Sequence, residues 1–123
     1  MDNAERTQAL RRRTKEFAGA VVRFYVGLDR RREEISVLGK QLLRSGTSAG
    51  ANYRKASRSR SDAEFIAKIE LCPQEADETQ YWLELLHEDC GISKTRTQPI
   101  WDEAEELIRI FVTMSQNKRK DSQ

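Results

Sequence analysis

Four apolar stripes, each repeating at alternating intervals of three and four residues, constrain this chain more than anything else in its sequence. Phe17, Val21, Phe24 and Leu28 are spaced 4, 3, 4. Ile35, Leu38, Leu42, Ser45, Ala49, Asn52 and Ala56 run at 3, 4, 3, 4, 3, 4. Phe65, Ile69, Cys72, Ala76, Thr79, Leu83 and Leu86 run at 4, 3, 4, 3, 4, 3. Ile100, Ala104, Leu107, Phe111 and Met114 form the last stripe. An α-helix turns about 100° per residue, so each pattern makes one side of a helix apolar. No segment keeps a period of two over a strand's length. The expectation is all-α: helices at about 6–28, 34–58, 62–89 and 100–116, with short connectors that make sequential neighbours antiparallel. A chain of 123 residues supports one core, so residues 1–123 are taken as a single domain.

The punctuation agrees. Ser61 and Glu64 fit a capping box at the start of the third helix. Gly91 stands where a helix ends, Ser93 to Pro99 reads as a polar connector, and Pro99 suits the first turn of the fourth helix. Arg30-Arg31-Arg32 joins the first two helices. The polar ends, roughly 1–5 and 117–123, are expected to be mobile. Pro73 lies inside the third stripe. It lacks an N–H and crowds the carbonyl of Ile69, so a kink is expected near residues 69–73.

The second stripe passes through Ser45-Gly46-Thr47-Ser48-Ala49-Gly50-Ala51. Two mid-helix glycines cost roughly 1 kcal/mol each relative to alanine. Close approach of a neighbour offsets that cost, and Tyr81 and Trp82 of the third helix are the expected partners. A phosphate-cradling loop needs a strand–loop–helix setting and a Gly-Lys-Ser/Thr ending, both missing here. Gly46, Ser48, Gly50, Asn52 and Trp82 are therefore assigned structural roles, with Asn52 expected to fix register by hydrogen bonding on the inward stripe.

Motifs for catalysis are not apparent. His87, the sole histidine, reads as a solvated or pairing residue at a helix end; Cys72 reads as a core residue and Cys90 as a helix-end residue. Their spacing makes no zinc site, and Glu75 and Glu78 lack the Glu-x-x-His pairs of a helical di-iron centre. No catalytic residue, cofactor or metal is expected, and no enzymatic activity. No apolar run approaches the ~18 residues of a membrane span, which leads to an expected cytoplasmic location and no membrane partner.

Charge is strongly segregated. Residues 1–61 carry 15 basic and 6 acidic side chains, residues 62–107 carry 3 and 13, and residues 108–123 carry 4 and 1. Either the halves compensate one another, within or between copies, or the basic half meets nucleic acid.

The run Gln41-Leu42-Leu43-Arg44-Ser45-Gly46-Thr47-Ser48-Ala49-Gly50-Ala51-Asn52, then Asp62-Ala63-Glu64-Phe65-Ile66-Ala67-Lys68, then Glu75-Ala76-Asp77-Glu78-Thr79-Gln80-Tyr81-Trp82-Leu83, resembles the family of proteins encoded in 23S ribosomal RNA intervening sequences. That family is itself similar to the accessory variability determinant proteins of diversity-generating retroelements. The resemblance spans about residues 14–116 and implies an up-down-up-down four-helix bundle, a ring-shaped homopentamer, and neither catalytic residues nor a cofactor. The accessory relatives bind nucleic acid and a reverse transcriptase. The chain departs from the family pattern at Tyr53 and Lys55, at Pro73, and at the arginine triplet.

Two roles are expected from these observations. The first is electrostatic binding of RNA or DNA by Arg54, Lys55, Arg58 and Arg60, with Tyr53 stacking on a base. Arg11, Arg12, Arg13 and the Lys118-Arg119-Lys120 run are secondary candidates; each basic cluster equally suits a helix end or solvated face. The second role is a scaffold whose acidic 62–107 segment meets a basic protein, for example a reverse-transcriptase-like partner. Apolar residues beside the stripes, Val22, Tyr25, Trp101, Ile108 and Val112, are an independent reason to expect self-association.

Overall fold

The computed structural model describes residues 1–123 as helices α1 (Asn3–Val26), α2 (Glu33–Ser57), α3 (Asp62–Ile69), α4 (Leu71–Glu88) and α5 (Lys94–Asp121). α3 and α4 are two halves of one bent rod, so the architecture is a four-helix bundle with no strands. α2 packs most extensively on α4 and α1, and α4 on α5; α1 and α5 meet more sparsely and close the square. The α1–α2 and α4–α5 faces are therefore on opposite sides.

All but Leu38, Asn52, Phe65 and Met114 of the stripe positions are buried, and Val21, Leu42, Ala49, Ile69, Cys72, Ala76, Leu86, Ala104, Leu107 and Phe111 are sealed completely. Burial pushes the Cys72 thiol up to about 12, which suits a core packing group rather than a nucleophile. The bend falls where Pro73 demands it. Glu70 sits between the two halves at φ −69°, ψ −21°, and its amide still bonds to the Ile66 carbonyl, so the rod bends without losing its phase.

The ends of the elements are specific. Ser61 Oγ accepts from the Glu64 amide at 3.1 Å, while the Glu64 carboxylate reaches back to the Arg60 amide at 3.3 Å. Gly91 takes φ +79°, the Ile92 amide returns to the Leu86 carbonyl, and His87 Nδ1 lies 2.7 Å from the Ile92 carbonyl oxygen. His87 thus ties down the turn instead of standing in solvent. The arginine triplet is also used locally: Arg30 donates to the carbonyls of Tyr25 and Val26, Arg31 pairs with Asp29, and Arg32 donates to the Cys90 carbonyl across the bundle end.

Three expectations are corrected. α5 begins at Lys94, six residues before the expected start, so Pro99 lies in its second turn and Ser93 to Pro99 is not a connector. The helices also run on over Asn3–Glu5 and through Asp121, with Asp2 capping the Glu5 amide. Gly46 and Gly50 face α1, not Tyr81 and Trp82. A Cβ at Gly46 would come within 2.7 Å of Val21 Cγ2, and one at Gly50 would press on the Thr14 backbone at 3.2 Å. Gly39 completes this seam against Leu28 and Tyr25. Tyr81 is exposed instead, its ring edge-on to the half-buried Trp82, whose indole N–H donates to Glu78.

Candidate nucleic-acid interface

The glycine seam shapes the site. Because α1 and α2 approach closely at Gly50 and Thr14, a groove of about 430 Å³ forms along the join, walled by long side chains on either side. Arg11 and Lys15, one turn apart on α1, face Arg54, Lys55 and Arg58 on the last turns of α2. The floor is small and neutral: Thr14, Ala18, Thr47, Gly50 and Ala51. No acidic residue lines the groove, and none of its five cations forms a salt bridge. Arg11 Nε is buried with no hydrogen-bond partner, so one donor of this guanidinium is unused. Arg54 and Lys55 also complement the C-terminal dipole of α2.

The expected residues divide sharply. Arg54, Lys55 and Arg58 come together, joined by Arg11 from the secondary set. Lys15 was missed, although its spacing of four from Arg11 on one helix face was visible in the sequence. Arg60 lies in the α2–α3 corner and lines a different cleft. Arg12 is exposed but outside the groove. Arg13 is not a free cation: its Nε and Nη2 donate to the two oxygens of Glu103 at 2.7 Å each, and Nη2 also reaches Glu106 at 3.0 Å. The guanidinium holds the Glu103 carboxyl below the usual carboxylate range. In the C-terminal run, Lys118 pairs with Asp62 and Arg119 with Glu70.

Tyr53 cannot stack on a base. Only 2% of it is exposed, its ring lies 5.9 Å from that of Phe111, and burial raises its phenol pKa above the ordinary value. Asn52, the expected register-setting residue, is half-buried and forms no side-chain hydrogen bond. The buried polar link between α2 and α4 is instead Ser45 Oγ to Thr79 Oγ1 at 2.8 Å. Ser48 spends its hydroxyl on the Arg44 carbonyl of its own helix.

The arrangement therefore offers unpaired positive charge around a small, neutral floor. It can neutralise consecutive phosphates, and it contains no aromatic platform. No helix is long and apolar enough to cross a membrane.

A family model described as 23S rRNA-intervening sequence protein matches residues 6–113. The fold is also similar to the crystal structure of a protein of unknown function from the S23 ribosomal protein family of Bacteroides thetaiotaomicron VPI-5482. That similarity has 33% identity and a TM-score of 0.80, and covers 89% of this chain and 97% of the other. A search of curated proteins finds no match.

Proposed function

Since the chain belongs to the 23S rRNA-intervening sequence protein family, we propose that it acts as a non-catalytic protein that binds nucleic-acid phosphates in the α1–α2 groove. One observation carries this reading: five cations converge on a groove that contains no carboxylate. Buried Tyr53 removes base stacking from the mechanism, so the binding is tolerant of sequence and driven by counterion release. Fluorescence anisotropy with a labelled RNA and a single-stranded DNA of mixed sequence tests it. With five phosphate contacts per chain, affinity for single strands falls roughly a hundredfold between 50 and 200 mM salt. A folded protein with no affinity for either probe at 50 mM salt eliminates the reading.

A second reading is supported by the far side of the bundle. Asp77, Tyr81, Glu84 and Glu88 stand on one outer stripe of α4, and Tyr81 is 53% exposed. Val112 on the neighbouring α5 is likewise exposed. An acidic and aromatic face of this kind suits a basic protein surface, either that of another protein or the basic face of a second copy. The second case builds a head-to-tail ring, such as the homopentamer that the family resemblance implies. Light scattering after size exclusion separates these: a monomer at micromolar concentration removes the ring and leaves only the separate partner.

A further inference from the structure

A second and larger opening lies on another face of α1. It is a cleft of about 850 Å³ between the first turns of α1, the α2–α3 corner and the C-terminal turns of α5. That volume lies within the roughly 300–1,000 Å³ of ligand sites. It arises where the sparse α1–α5 contact leaves the bundle partly open. Its apolar lining is half-buried Leu10, Phe65, Ile110 and Met114 of α1, α3 and α5, with Tyr53 and Ala56 of α2 almost wholly buried behind them. The Tyr53 ring, pinned against Phe111, backs this lining from the core.

The rim is selective in charge. Arg6 and Arg60 are exposed there and form no salt bridge. The other two cations at the cleft are engaged: Arg13 by Glu103 and Glu106, and Lys118 by Asp62 while it lies 5.3 Å above the Phe65 ring. Of the two acidic residues present, Asp62 is committed to Lys118 and to the Ser122 hydroxyl, which leaves Asp121 as the single uncommitted carboxylate. The free charge at the mouth is therefore net positive above a hydrocarbon floor. That combination matches a molecule with an apolar chain and an acidic head.

We propose that this cleft binds a small amphipathic carboxylate of the fatty-acid class, its chain on the Leu10–Phe65–Met114 floor and its head at Arg6 and Arg60. The proposal is independent of the groove, which shares none of these residues. Titration with 1-anilinonaphthalene-8-sulfonate, followed by displacement with dodecanoate below its micellar concentration, tests it on the full chain. Saturable fluorescence enhancement is expected, displaced by dodecanoate at least tenfold more effectively than by dodecanol. Replacing both rim cations, Arg6→Gln with Arg60→Gln, weakens dodecanoate binding about tenfold, as two rim-exposed charges should. Far-UV circular dichroism and the melting temperature stay unchanged, because both side chains are exposed. Arg54→Gln with Arg58→Gln leaves the titration unaltered while weakening nucleic-acid binding. Equal displacement by dodecanol, no enhancement with folded protein, or full affinity in the Arg6/Arg60 double variant overturns the proposal.

Discussion

α2 has two principal neighbours, and its two seams are built on opposite plans. Toward α1 it presents Gly39, Gly46 and Gly50, and its cations there meet no carboxylate. Toward α4 it presents Ser45 and Ala49, a buried hydroxyl pair to Thr79, and Arg44 bonded to Glu75 at 3.2 Å and Glu78 at 2.6 Å. The reason lies in the order of the chain. Both α1 and α2 come from the basic stretch, so their shared face concentrates like charge; α4 comes from the acidic stretch and answers Arg44 with two carboxylates. Segregated charge is thus partly cancelled by the fold, and five of the cations it leaves unpaired gather in one groove. The α4 seam is specified by polar contacts, whereas steric fit alone specifies the α1 seam.

Breaking the α1 side in charge gives the largest effect. Arg54→Glu, Lys55→Glu and Arg58→Glu together lower RNA affinity by more than about a hundredfold at low salt, while the melting temperature falls by only about 5 °C as the C-terminal dipole of α2 loses its cations. Arg44→Glu does the reverse, placing three carboxylates together on the α4 seam: affinity stays and thermal stability falls. Breaking the α1 side in shape comes next. Gly46→Leu drives a side chain into Val21 and costs about 3 kcal/mol in urea denaturation. Gly46→Ala costs less, about 1 kcal/mol, because a gain in helix propensity offsets part of the clash.

These substitutions also show how far the sequence was legible. Periodicity identified the rods and nearly every core position, because hydrophobic spacing along a helix is local information. It assigned the glycines to the wrong neighbour. One residue step rotates a side chain by about 100°, so Ser45 and Ala49 reach α4 while Gly46 and Gly50, one step on, reach α1. The same single step separates inward Tyr53 from half-buried Asn52. The fate of Arg13 was equally hidden, since its partners lie 90 and 93 residues away. The bend at Pro73 was legible because a missing N–H acts on its own helix. Pro99 misled by the same logic: proline suits a first turn, yet the helix had already begun at Lys94.

The smaller predictions sharpen the polar side. Thr79→Val removes the buried hydroxyl contact to Ser45 and costs about 1 kcal/mol in denaturation. Its effect is smaller than that of Gly46→Leu, which would rank steric fit above polar pairing; the opposite ranking would invert the comparison drawn above. Smallest is the tie from α1 to α5. Glu103 has a lowered folded-state pKa, so its contribution is present above the ordinary carboxylate value near pH 4.5 and is lost as pH falls below it. Glu103→Gln therefore removes less than about 1 kcal/mol at pH 7, discounted for partial exposure, and flattens the fall in melting temperature between pH 5 and about pH 3.

The bent rod has a consequence for synthesis. Asp62 of α3 and Glu70 at the bend are held by Lys118, Arg119 and Ser122, which leave the ribosome after every residue of α1 to α4. When α1, α2 and α4 have already emerged and begun to pack, the α2–α3 corner is still without its anchors. Vectorial translation thus leaves the α2–α3 corner unfastened until the C-terminal turns of α5 have been made.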